Sequence, residues 1–306
     1  MMKNYRKISS PWTQLGLFML LLGAAVILTG ILAVIILSSK GVDMRHVNLD
    51  FNDPGLKGVL KLLQGLNTVI VFALPALLYA RLTFRQHPGY YLGLRPVGKT
   101  IFYGLAVALL LFSIPLEGWL GELNKMIHLP SSALKMEEEA DQQINAFLRV
   151  DSPKDIFINV FLIALLPAVC EELCFRGALQ RILIQIFKSP WIGILVTGIF
   201  FSAFHMQFQG FLPRMFLGML LGAIYWYSGS LWTSILAHFF YNGIQVLAVS
   251  FYPKMIHDEP SVPVYAALIS LVIVVGLLTV LRRKSETTYA QVYEPVTSEE
   301  YDGFPS

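Results

Sequence analysis

Two adjacent carboxylates, Glu171 and Glu172, sit inside an apolar run, LLPAVCEELCFRGALQR from Leu165 to Arg181, with Arg176 close behind. On a helix, with about 100° between successive residues, Glu172 and Arg176 share a face and Glu171 points roughly a quarter-turn away. The pair therefore divides. Glu172 has an arginine to neutralise it, in an intrahelical ion pair that orients its neighbour, while Glu171 is left free where solvation is poor. A lone charge at membrane depth costs on the order of 3 kcal/mol or more, so such groups mark function.

What faces Glu171 follows from spacing. Of the six histidines, only His205 (FFSAFH) and His238 (LAHFFYN) fall inside apolar segments; His46, His87, His128 and His257 fall in loops or near their edges. Lys188-Ser189-Pro190 breaks the helix that carries Glu171 and starts the one that carries His205. Counting outward from a turn centred near residue 188.5, Glu171 is level with residue 206 and so with His205. His238 and Asn242 share a face of a later helix. Their depth matches that of Glu171 only if the first hairpin protrudes by a couple of turns. A buried carboxylate beside an imidazole suits activation of water, and a second histidine with an asparagine suits stabilisation of an oxyanion. Together these parts describe peptide-bond hydrolysis. They suit a metal site equally, since histidine and carboxylate are ordinary zinc ligands.

At these residues the chain resembles the CPBP family, also called Abi: type II CAAX prenyl endopeptidases and bacteriocin-processing or self-immunity membrane proteins. The family's EExxxR motif is matched by Glu171, Glu172 and Arg176, its FxxxH by Phe201 and His205, and its HxxxN by His238 and Asn242. The resemblance covers about residues 153–250, with order and gaps kept. It implies that Glu171 and His205 activate the water, that His238 and Asn242 hold the oxyanion, and that Glu172 and Arg176 support them. It implies a bundle of transmembrane helices around a cavity open to the cytoplasm, and an endopeptidase acting on a peptide or membrane-protein substrate. Both a metalloprotease and a metal-free glutamate mechanism are compatible with the family. No cofactor is required by the residues themselves, and a divalent ion such as zinc stays open.

The elements that must position these residues are membrane helices. The chain has 306 residues, 55% hydrophobic and 14% charged, with a net charge of +3 and mean hydropathy of +0.60. A soluble chain carries roughly 25% charged residues. Apolar runs predict about eight spans in an all-α polytopic bundle: Trp12–Leu37, Val59–Leu82, Ile101–Leu120, a long helix from Asp155 to the break at Lys188, Trp191–Met206, Phe211–Tyr227, Leu231–Phe251 and Val262–Leu281. Gly218-x-x-x-Gly222 in the sixth permits close helix contact. The second half of the long helix (Arg176, Gln180, Arg181, Gln185) reads as amphipathic and is expected to project beyond the cytoplasmic face.

Basic clusters at residues 3–7, 81–99, 176–188 and 282–284 then fall on one side, which puts both termini in the cytoplasm of a plasma-membrane protein. They are topology signals and not a nucleic-acid footprint. The first run is too long for a signal peptide. Between the third and fourth spans, PSSALKMEEEADQQINAFL reads as an amphipathic helix capped by Ser131 or Ser132, with apolar contacts from Leu134, Ile144, Phe147 and Leu148. Of its readings, a solvated connector is preferred over a helix that lies on the membrane surface or roofs a cavity. The organisation is therefore residues 1–152 as N-terminal helices with a connector, 153–250 as the protease-like core, 251–284 as a last helix and 285–306 as a polar, disordered tail. Cys170 and Cys174 read as small buried hydrophobes. Two other functions use the same residue types: a transporter or proton relay, and a non-catalytic membrane chaperone or immunity protein. Oligomeric state leaves no mark on the sequence.

Overall fold

The computed structural model describes residues 10–43, 53–83, 88–252 and 261–287. The basic cluster at 3–7, Arg85, His46, His87, His257 and the tail beyond 287 lie outside the described residues. Within them every regular element is helical. Nine helices follow one another: α1 Pro11–Ser39, α2 Gly55–Thr83, α3 Ile101–Lys125, α4 Ser131–Leu148, α5 Pro153–Phe187, α6 Pro190–Ala203, α7 Phe211–Ser228, α8 Leu231–Phe251 and α9 Val264–Lys284. A single turn, Pro88–Tyr91, bridges α2 and α3.

Six of these helices (α1, α2, α3, α5, α8 and α9) are long and apolar enough to cross a membrane, which makes this a multi-pass membrane protein. The expected count of eight is not reached. α6 has 14 residues, short of the ~20 that a span needs. α7 has the length but carries Pro213 and Arg214 in its first turn and ends in Tyr225-Trp226-Tyr227-Ser228, which lowers its apolarity. The physical reason is position. α7 is buried among its neighbours from Leu217 to Tyr225, so protein and not lipid decides its composition.

α5 is the axis. Ser152 precedes it, its amide donating to the Asp155 carboxylate at 2.8 Å, and Pro153 occupies the first turn, where no amide hydrogen is required. The helix then runs 35 residues without a break. Its ladder widens to i→i+5 bonding over Val160–Leu165 and again over Leu173–Gln180, directly after Glu172. Such wide turns recur at functional sites. Lys188 ends the helix in the left-handed region (φ 51°), and Ser189 caps α6 by accepting from the Ile192 amide, so the hairpin turn lies where the sequence places it.

The second half of α5 departs from expectation. Arg176, Gln180 and Arg181 turn into the bundle and are buried. Arg176 and Gln180 donate to the carbonyls of Gly218 and Gly222 at 2.8 and 3.1 Å, two matching rungs between helices. Arg181 donates to the Tyr225 hydroxyl at 3.0 Å and lies over the Tyr91 ring. The two glycines bare their carbonyls because they have no side chain, and the spacing of four is the same on both helices. Gly218 also brings α6 and α7 together: a Cβ there would stand 3.1 Å from the Gly198 Cα.

α4 departs as well. Its N-cap is Pro130, with neither Ser131 nor Ser132 in that role. Leu134 and Ile144 are largely exposed, and Ala133, Glu137, Ala146 and Phe147 are the buried positions. Of the expected apolar contacts, Phe147 packs in a core cluster and Leu148 is half-buried, while Leu134 and Ile144 give way to Ala133, Glu137 and Ala146.

Candidate active site

α5 presents the two carboxylates to different surroundings. Glu172 is fully buried: its Oε1 accepts from Arg176 Nη1 at 2.7 Å and from His238 Nδ1 at 3.0 Å. Arg176 is equally buried and lies 4.6 Å from the centre of the Phe201 ring. Glu171, one residue earlier, lines a cavity of about 520 Å³. No described side chain is hydrogen-bonded to it. The divided pair expected from the sequence is therefore present, with one difference. The ion pair orients His238 directly, across a gap of 66 residues, in addition to fixing the helix.

The cavity lies between α3, α4, α5, α7 and α8, with Gln64 of α2 and Phe201 of α6 also on its wall, and Glu171, His205, His238 and Asn242 all line it. His205 follows the last turn of α6, and its Nδ1 is 2.8 Å from the Phe201 carbonyl. A carbonyl only accepts, so Nδ1 carries the hydrogen and Nε2 keeps its lone pair. His238 has Nδ1 on Glu172, which leaves its Nε2 edge for the cavity. Asn242, one turn along α8, donates one amide hydrogen to the Ile163 carbonyl at 3.4 Å and keeps the other. Phe201 packs against both imidazoles, 5.1 Å from His205 and 6.0 Å from His238 between ring centres. The depth of His238 therefore matches that of the carboxylates.

Several cavity residues escaped the sequence reading. Glu117 on α3 is buried and bonded to Ser113 and to the hydroxyl of Tyr241. A carboxylate inside a span is itself the signal that marks it, and Tyr241 stands three residues from His238 on the same face. Arg214 also lines the cavity, with Nη1 and Nη2 on the side chain and carbonyl of Gln207 at 2.9 and 2.5 Å. α4 adds Ala140, Gln143, Ile144 and Phe147 to the wall, so the helix roofs the cavity and is not a solvated connector. Near its middle, burial pushes the Asp141 carboxyl above the usual range; Glu137 adds to this and Arg214 opposes it.

Cys170 and Cys174 are free and buried in the core between α1, α2 and α5. Among the described residues, no group of three or more histidine, cysteine, aspartate or glutamate side chains is close enough to hold a metal ion. Among the described residues Glu171, His205 and His238 line one cavity without converging as the three protein ligands that a catalytic zinc ordinarily takes.

Comparison with known proteins bears on this arrangement. Residues 153–244 match the model of the type II CAAX prenyl endopeptidase Rce1-like family, less than a third of the chain. A 124-residue stretch is 29% identical to a curated Escherichia coli protein described as an uncharacterized 24.3 kDa protein. That stretch takes in 38% of this chain and 51% of the relative, so the chain spans about half the length of the curated protein it matches. No solved structure matches. The segment that carries Glu171, His205, His238 and Asn242 is thus the part of the chain that matches the Rce1-like, type II CAAX prenyl endopeptidase model, consistent with the CPBP resemblance of its motifs.

Proposed function

We propose that this protein is an intramembrane endopeptidase that hydrolyses a peptide bond with water activated between Glu171 and His205. The observation that carries this reading is the divided pair: Glu172 is tied to Arg176 and His238, and Glu171 is left untied on the wall of a cavity shared with His205. Glu171, as carboxylate, takes a proton from the water, and the lone pair on His205 Nε2 accepts the water's second hydrogen and aligns the oxygen. Attack on the scissile carbonyl places negative charge on its oxygen. Asn242 donates to that oxygen with its free amide hydrogen. His238 does so when its ring holds both protons, one toward Glu172 and one toward the cavity. Glu171 then returns its proton to the departing amine.

The side chains named above carry the whole cycle, and the reading is of a metal-free, glutamate-type peptidase. Its substrate is a peptide or a membrane-embedded polypeptide, its setting the plasma membrane, with the Arg282-Arg283-Lys284 end of α9 in the cytoplasm.

Cleavage of a quenched peptide library by the purified protein in detergent tests this. Glu171→Gln and His205→Ala are each expected to lower turnover by about 10²–10⁴-fold, the usual contribution of a positioned base. A chelator is expected to leave wild-type turnover unchanged, and inhibition by it would return the mechanism to a metal. Cleavage that survives both substitutions overturns the assignment.

A further inference from the structure

His205 lies beyond the last residue of α6, Ala203, in a turn that runs to the start of α7 at Phe211. Met206, next in the chain, is held at φ 55°, a left-handed conformation that a methionine keeps only when its surroundings impose it. Much of what holds this turn comes from outside the family-matched segment. A single carboxylate oxygen of Glu137, on α4, accepts from the amides of both Phe208 and Gln209, the latter at 3.0 Å. Asn124, near the end of α3, donates to the Phe208 carbonyl at 2.7 Å and accepts from the Leu212 amide at 2.8 Å. Both side chains are buried. Two adjacent amides converging on one carboxylate oxygen make a charge-assisted seat, stronger than neutral bonds of the same length.

The helix that supplies Glu137 is also the cavity wall. Its other end is fastened separately: Phe147 packs with Leu37 and Leu60, and Asn159 donates to the Leu148 carbonyl at 3.3 Å. Just beyond it, Lys57 bonds the Arg149 carbonyl and the Asp151 carboxylate. One end of α4 is therefore tied to α2 and α5, and the first half is tied to the turn that carries His205.

We propose that Glu137 is a positioning residue that makes the wall helix α4 and His205 a single unit, so that the water-activating geometry exists only while α4 is seated over the cavity. Asn124 fixes the same turn from α3. The proposal rests on the endopeptidase reading for its kinetic consequence, though not for its structural one. It also gives the N-terminal part of the chain, which the family match does not reach, a share in catalysis.

The test uses the full-length protein and two readouts. Glu137→Ala removes the acceptor; Glu137→Gln keeps a carbonyl oxygen in its place. Hydrogen exchange at the amides of residues 204–210 is expected to quicken in Glu137→Ala, to stay close to wild type in Glu137→Gln, and to be unchanged along α5 in both. Cleavage kinetics are expected to show kcat falling about 10–100-fold in Glu137→Ala with KM little changed, and recovering in large part in Glu137→Gln, as a small misplacement of a reacting group predicts. Wild-type exchange at 204–210 in Glu137→Ala overturns the proposal, as does full kcat with those amides exposed. If wild type cleaves nothing and matches Glu171→Gln, the endopeptidase reading fails, and exchange still decides whether Glu137 holds the turn.

Discussion

Glu171 and Glu172 are neighbours in sequence and opposites in circumstance, which predicts opposite profiles for the same substitution. Glu172 accepts two bonds in full burial, so Glu172→Gln leaves Arg176 as an uncompensated buried charge. Breaking a buried pair in this way costs about 3–5 kcal/mol. The expected result is a marked fall in Tm, read by thermal unfolding in detergent, with loss of activity following from lost structure. Glu171 has no hydrogen-bonded partner to lose. Glu171→Gln is expected to lower turnover by about 10²–10⁴-fold with Tm unchanged or raised. If the two variants lose stability alike, the division of roles is wrong. The residues themselves could be read from spacing, because helical geometry fixes which of two neighbours meets Arg176. The bond from Glu172 to His238 could not, because it depends on how α5 packs against α8, two helices far apart in the chain.

Between elements, one close joint is the crossing of α6 and α7 at Gly198 and Gly218. A Cβ at Gly218 would press on the Gly198 backbone and on Phe201, which packs against both imidazoles. Gly218→Ala is therefore expected to destabilise by about 1–3 kcal/mol, the ordinary cost of overpacking, and to lower activity by tilting Phe201. Gly104 on α3 has open space around its Cα, so Gly104→Ala is expected to be neutral or to stabilise by about 0.5–1 kcal/mol. Equal effects at the two positions, in parallel thermal scans, would remove the close approach as the cause. The Gly218-x-x-x-Gly222 spacing announced this contact. It gave no sign that the bared carbonyls would draw Arg176 and Gln180 inward, so a half-helix that reads as solvent-facing is core. Polar residues look the same in sequence whether they meet water or a carbonyl.

Across the whole molecule, the cavity is closed by parts of the chain that the motifs do not reach. Glu117, on α3, is bonded by Ser113 from its own helix and by Tyr241 from α8, and this polar joint ties the N-terminal helices to the family-matched segment within the cavity wall. Ser113 also lies 2.7 Å from the Leu110 carbonyl, and a hydroxyl has one hydrogen to give. Glu117 therefore depends on Tyr241 for a donor whenever Ser113 turns to its own helix. Tyr241→Phe is expected to cost about 1–3 kcal/mol, the penalty of a buried acceptor left unsatisfied. Glu117→Leu combined with Tyr241→Phe is expected to recover most of that loss, because removing both partners of a buried bond is nearly neutral where removing one is not. Thermal unfolding of the two singles and the double measures the coupling. Simple additivity would mean that the joint contributes nothing to holding the halves together. A positive coupling would show that a buried polar joint helps to hold α3 against α8. Helices that pack chiefly on protein are shaped by such joints, and hydropathy along the chain does not register them.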